Sequence, residues 1–287
     1  TTGNGTVEGG NGTWSVGASN WTAIGGTPNS AWAGGFAVFT GTAGTVSVDG
    51  TQQFTGLQFA SDGYNVVGGA AGQLTAVNGS AGNTAIRVDP TLTATLGVNI
   101  DGAGKLAKLD SGTLVLNGNN SYTGGTALER GALVVGSNTA LGVGLLSTAA
   151  GTTLSSNKTV ALGNDLALAG NLNVTGSNAL ALNGVISGAG GLVKSGTSQL
   201  TLGGVNTYLG PTALNAGGLI LASSGALGNG ALNAAGGTTL DSSTAVSVGN
   251  AINLGGNLSI GGSADLTLGG VISGSGSLTK EGAANLT

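Results

Sequence analysis

The sequence has no cysteine, no histidine and no methionine, and only 6% of its residues carry a charge. Without cysteine there is neither a disulfide nor a thiolate metal site, and no redox compartment can be read from the chain. Without histidine, the Ser-His-Asp and Cys-His arrangements of most hydrolases are excluded. No nucleophile elbow, phosphate-binding loop or calcium loop occurs, so neither a cofactor nor a metal is expected. The net charge of -4 is spread thinly with no basic run, which leaves no footprint for a nucleic-acid backbone. Although the mean hydropathy is positive, no apolar run approaches the roughly 18 residues of a spanning helix.

Glycine, by contrast, is abundant, with 60 of the 287 residues. Each interior Gly costs a helix about 1 kcal/mol relative to Ala, so the expected class is all-β. From about Val67 onward the chain shows period-two apolar pairs separated by Gly or Asn, such as Leu114/Leu116, Leu133/Val135, Leu172/Val174 and Leu200/Leu202. Each pair reads as a strand of three to five residues with one buried face. Residues 1–66 differ, because all three Trp (Trp14, Trp21, Trp32) and all four Phe (Phe36, Phe39, Phe54, Phe59) fall there. Two domains are expected: an aromatic-rich capping segment over 1–66 and a repeated solenoid over 67–287.

The stretch Gly102–Val135 is rewritten 86 residues later at Gly188–Leu221, and a third copy starts at Gly274 and stops within the repeat. The offset runs without a gap, pairing Leu154 with Leu240, Leu172 with Leu258 and Lys194 with Lys280. Such strictness is expected where each strand stacks on a neighbouring coil, since one inserted residue turns the apolar set outward. Division by four suggests coils of about 21 to 22 residues, each with three short strands and Gly-rich corners.

The two full copies resemble the passenger-associated transport repeat of Gram-negative autotransporters. The residues that carry the resemblance are Gly102, Gly104, Leu106, Lys108, Leu114, Leu116, Asn120, Tyr122, Thr126 and Leu128, then Gly188, Gly190, Leu192, Lys194, Leu200, Leu202, Asn206, Tyr208, Thr212 and Leu214. The run Thr13–Thr22 and the stretch Val46–Tyr64 look like the start of many such passengers. The resemblance implies a right-handed parallel β-helix, exported through the outer membrane by its own C-terminal barrel and displayed outside a Gram-negative cell. Neither that barrel nor a signal peptide is seen, so the chain is expected to be a piece of a longer passenger.

Several residues invite a second reading. Eight of the eighteen charges lie between Arg87 and Arg130. Asp101, Asp110, Glu129 and Arg130 are replaced by uncharged residues in the second copy. With Arg87 and Asp89 they form either a surface ion-pair patch or a specialised binding site. Lys108, Lys194 and Lys280 keep their place in every copy, as expected of a solvated ladder that discourages edge pairing, with an anionic-ligand stripe as the alternative. Asn120 and Asn206 are expected to hydrogen-bond at corners, and Tyr122 and Tyr208 to lie over them partly packed. Trp14, Trp21 and Trp32 either close the open end of the solenoid or form a stacking patch for a ligand.

The leading expectation is a non-enzymatic surface passenger: a stalk that assists its own secretion and supports adhesion or cell-cell aggregation through an unidentified protein or glycan. A self-associating filament is the alternative. A polysaccharide-active enzyme is a further one, and it needs at least two of Asp89, Asp101, Asp110 and Glu129 in one groove.

Overall fold

A computed structural model describes residues 5–287; the first four residues of the expected capping segment lie outside the described residues. The described chain contains thirty-five strands, none longer than five residues, and no helix. Contacts divide it into two compact units, Thr1–Gly144 and Leu145–Thr287.

In the first unit the chain coils through three parallel sheets. The first contains Gly12–Trp14, Thr45–Val48, Asn65–Gly68, Thr93–Leu96, Thr113–Leu116 and Ala132–Val135. The second contains Phe36–Phe39, Gly56–Phe59, Thr84–Val88, Leu106–Leu109 and Thr126–Leu128. The third is shorter, with Thr51–Phe54, Gln73–Ala76 and Asn99–Asp101. One antiparallel pair, Trp21–Thr22 with Asn29–Ser30, departs from this pattern.

The second unit is also a three-faced parallel solenoid. Its first face runs from Thr153–Ser156 through Leu172–Thr175, Leu192–Lys194, Thr212–Leu214, Leu232–Ala234 and Ile252–Leu254 to Ile272–Gly274. The third face runs from Val160–Leu162 through Leu180–Leu182, Gln199–Leu202, Gly218–Leu221, Thr238–Ser242 and Leu258–Ile260 to Leu278–Lys280. The second face holds Leu146–Thr148, Leu166–Leu168 and Ile186–Gly188, and further on Val246–Val248 with Leu266–Leu268.

The core lies inside the coils. Alternation puts every second side chain inward, and in-register pairing stacks these into columns. On the first face of the second unit one column reads Leu154, Val174, Lys194, Leu214, Ala234, Leu254, each no more than 5% exposed.

The coil is shorter than repeat division suggests. Partners in this unit are 20 residues apart almost throughout, as in Leu172 with Leu192 and Leu192 with Thr212. Eighty-six residues therefore cover four coils and one further strand position, so each copy of the repeat is turned by one face. Leu166 lies on the second face and its counterpart Ile252 on the first. Leu172 lies on the first face and Leu258 on the third. Leu182 is on the third face and Leu268 on the second. Because all three faces bury the same alternating apolar set, the sequence accepts this rotation without any break in its pattern.

Candidate functional site

Three regions concentrate side-chain chemistry: the lysine, asparagine and tyrosine of the repeat, the charges near Arg87, and the aromatic end of the first unit.

Lys108 and Lys194 are each only 1% exposed, which overturns the solvated ladder. Lys108 stands in the inward column between Ile86 and Leu128. Its Nζ donates to the carbonyls of Leu109 and Asp110 at 2.9 Å and of Arg130 at 3.2 Å. Lys194 Nζ donates to the carbonyls of Gly196 and, one coil on, Ala216. The aliphatic stem fills the core while the ammonium ties two successive corners together. Burial pushes the Lys108 amine down to about 8, the nearby Asp110 carboxylate opposing the shift; burial lowers Lys194 likewise. Lys280 is exposed and donates to the carbonyls of Glu281 and Gly282. Lys194 and Lys280 lie on different faces of one unit, so the face rotation prevents the expected ladder. Leu106-x-Lys108 and Leu192-x-Lys194 carry the missed signal, since spacing by two places each Lys on the buried side of its Leu.

Asn120 and Asn206 act where the strand ladder is interrupted. Asn120 Oδ1 accepts from Ile100 N–H at 2.8 Å and its Nδ2 donates to Ala140 O at 2.6 Å, partners 20 residues before and after. Asn206 repeats this with Ile186 and Ala226 at the same two distances. The side-chain amide thus stands in for a missing backbone pair and joins three consecutive coils. Two residues on, Tyr122 and Tyr208 are wholly buried, not partly packed over a corner. Their hydroxyls pair with Thr126 and Thr212. Burial raises both phenols, Tyr208 to about 12, against a lowering by the threonine hydrogen bond. One coil beyond each ring stands a glycine of positive φ, Gly142 at 61° and Gly228 at 59°. A Cβ there would meet the ring and the tyrosine carbonyl at 2.3 to 3.1 Å, closer than packing allows. Gly104 and Gly190 also lie against backbone of the preceding coil, with a Cβ meeting Ala76 O at 2.8 Å and Gly170 O at 2.0 Å. Leu106 and Leu192 complete the inward set.

Of the charged candidates, five gather at one end of the second sheet of the first unit. Arg87 Nη1 donates to both carboxylate oxygens of Asp110, at 3.1 and 3.0 Å. Asp89 follows the same strand and accepts from Gln58 Nε2 at 3.0 Å. Glu129 and Arg130 are exposed after Thr126–Leu128. Asp101 is not with them; it ends a strand of the third sheet, with Oδ1 buried and unpartnered. In the second unit, Asp241 was not legible as special. Burial raises its carboxyl, but hydrogen bonds from Gly262 N–H, the Ser263 hydroxyl and N–H, and Ser242 N–H outweigh that and hold it below the usual range.

The aromatic end is built on Trp14, which is wholly buried and whose strand partner is Val48. Trp21 and Trp32, both half-buried, pack on it edge to face with ring centres at 5.1 and 5.0 Å. Phe39, stacked on Phe59 at 4.9 Å, continues the cluster inward. Trp32 Nε1 donates to Gln53 O at 2.9 Å, whereas Trp14 Nε1, Trp21 Nε1 and Asn20 Oδ1 are buried without a hydrogen-bond partner. Each unmet group costs about 1–3 kcal/mol. Beside them is a cavity of ≈ 130 Å³ whose walls include Gly9, Gly12, Asn20, Trp21, Phe39 and Tyr64.

Comparison with known proteins agrees with this architecture. The model of the passenger-associated-transport-repeat matches residues 106–135 and 192–221, the two segments that hold the buried Lys, Asn and Tyr. Over 156 residues the chain is 40% identical to a protein described as "Adhesin BmaC autotransporter" from Brucella suis biovar 1 (strain 1330). That alignment covers 48% of this chain and 4% of the relative. No solved structure matches the chain significantly. The chain thus combines two passenger-associated transport repeats with a parallel solenoid, and over about half of its length it is similar to a small part of an autotransporter adhesin.

Proposed function

We propose that this segment is a non-enzymatic, adhesin-like part of its passenger, combining a self-folding stalk with a surface that binds a protein or glycan on host or bacterial cells. The observation that carries the reading is the division of labour within the coil. Lys108, Lys194, Tyr122 and Tyr208 of the repeat are buried as structural braces, while the outward rows are nearly uncharged and polar. In the second unit one outward row reads Asn173, Val193, Ala213, Asn233, Asn253, Ser273. Asn253 Nδ2 donates to Asn233 Oδ1 at 2.7 Å, and Ser273 Oγ to Asn253 Oδ1 at 2.9 Å. Such rows offer many weak hydrogen-bonding contacts at the strand repeat of about 4.8 Å. The relative's description as an adhesin supports the same reading.

The secretion role follows from coil-by-coil contact. A chain in which each turn rests on its neighbour folds by propagation from one nucleus, and the braced repeats supply such nuclei. Residues 1–66 serve as the cap, and the C-terminal barrel of the whole passenger is the export partner. Binding of the purified chain to host cells and to bacteria of the same kind tests adhesion; no binding to either leaves the stalk and secretion role alone. Surface display of the full passenger with Asn120, Tyr122, Asn206 and Tyr208 replaced by Ala tests secretion, with a marked loss expected and unchanged display contradicting it.

A further inference from the structure

The cavity at the aromatic end has walls of a particular chemistry. Its lining includes the aromatic residues Trp21, Phe39 and Tyr64, the polar residues Thr13, Thr22 and Asn20, and the glycines Gly9, Gly10 and Gly12. None of the lining residues is charged, so an ionised ligand would have no compensating partner there. The volume of ≈ 130 Å³ corresponds to about four water molecules, and the cavity is open to solvent, so it takes one edge of a sugar ring and leaves the rest outside. Three of the five unpartnered buried polar atoms among the described residues belong to this cluster: two donors, Trp14 Nε1 and Trp21 Nε1, and one acceptor, Asn20 Oδ1. A cap whose only task were to exclude water would use Leu or Phe and leave no such atoms. Asn20 and Trp21 are themselves wall residues.

We propose that this cavity binds one neutral saccharide unit. A face of the ring lies against Trp21, and its hydroxyls donate to Asn20 Oδ1 and accept from Trp21 Nε1 once these two side chains rotate towards the opening. Neutral hydroxyls suit a site that offers both donors and acceptors beside an aromatic surface and no charge. The inference rests on the adhesin-like reading only in supposing an external ligand, and it names the chemical class of that ligand.

The test is a titration of the full chain followed by tryptophan emission, with glucose, galactose and mannose as probes, their methyl glycosides as mimics of a chain-linked sugar, and glucuronic acid as the charged control. At least one neutral sugar is expected to give a saturable change in the millimolar range, and glucuronic acid none. A methyl glycoside that binds as well as its parent identifies the terminal unit of a surface glycan as the ligand; binding of the free sugar alone identifies a soluble saccharide. Trp21→Phe keeps a ring and removes the donor, and Asn20→Ala removes the acceptor; each is expected to weaken binding about tenfold in a chain that still unfolds cooperatively. No emission change with any neutral sugar up to about 0.1 M, equal binding of glucuronic acid, or undiminished binding by a folded Asn20→Ala variant overturns the proposal. A failed titration while the chain still adheres to cells removes the cavity and leaves adhesion in place.

Discussion

The two units solve the same stacking problem with different regularity. Along the first sheet of the first unit, successive partners are 34, 20, 30, 20 and 19 residues apart. In the second unit the spacing is 19 to 21 residues throughout. The first unit also holds nine of the ten aromatic residues and eleven of the eighteen charges. Extra residues in its coils leave as insertions between the stacked strands, so register is kept while the insertions carry unrepeated groups such as Trp21 and Trp32. A uniform coil has no room for such variation. Specific chemistry therefore collects where the coil length varies, and the regular unit relies on its buried braces.

Mutations sharpen that contrast, beginning with the largest effect. Trp14→Ala in the irregular unit is expected to cost about 3–5 kcal/mol, seen as lost amide protection over Thr13–Tyr64; protection within a few-fold of wild type would show that the cluster is not the anchor of that end. In the regular unit, Asn206→Ala leaves Ile186 N–H and Ala226 O unpaired and is expected to cost roughly 2–4 kcal/mol in denaturant melts. Asn253→Ala, on the outward row, is expected within about 0.5 kcal/mol of wild type. Lys194→Ala is expected to cost about 2–3 kcal/mol by removing a buried stem and leaving corner carbonyls unpaired. Lys280→Ala, the same repeat position but exposed, should give no measurable change in the melt. Equal effects of the two would break the argument that burial of the stem decides the role.

Alkaline pH separates the buried cations from the buried phenols. Lys108 is near 8 when folded against an ordinary 10.5. Between those values the unfolded chain binds more protons, and this group adds stability as pH rises. Tyr208 is near 12 when folded against an ordinary 10.0, so above pH 10 the folded chain holds the extra proton and stability falls. A maximum near pH 10 is expected. Tyr208→Phe should cost roughly 1 kcal/mol at neutral pH and remove up to about 2–3 kcal/mol of the loss between pH 10 and 12. Arg87→Ala is expected to cost at most about 1 kcal/mol, because its ion pair with Asp110 is substantially exposed and well solvated.

Much of this was legible from residues alone. Period-two pairs such as Leu172/Val174 give the strands, and Trp14, Trp21 and Trp32 mark an atypical end. The charged cluster was legible only in part: Arg87 meets Asp110 because coil pairing sets Arg87 beside Leu109, while the same coil sends Asp101 to another sheet. The buried lysines were misread because charge suggested solvent, although their spacing from Leu106 and Leu192 pointed inward. Here parity is the better guide, since a Lys stem can lie in a core when carbonyls meet its ammonium.

The sequence by itself determined that the chain is a β-solenoid with a strict repeat, because alternation and glycine corners leave no other regular structure. It did not determine how many coils one repeat spans. Each face buries the same alternating set, so a whole number of coils and a number that ends one face further on produce the same pattern of apolar residues. Only backbone pairing between coils distinguishes them. That pairing sets a 20-residue turn and rotates successive repeats from face to face, so that Lys194 and Lys280 stand in the inward columns of different faces.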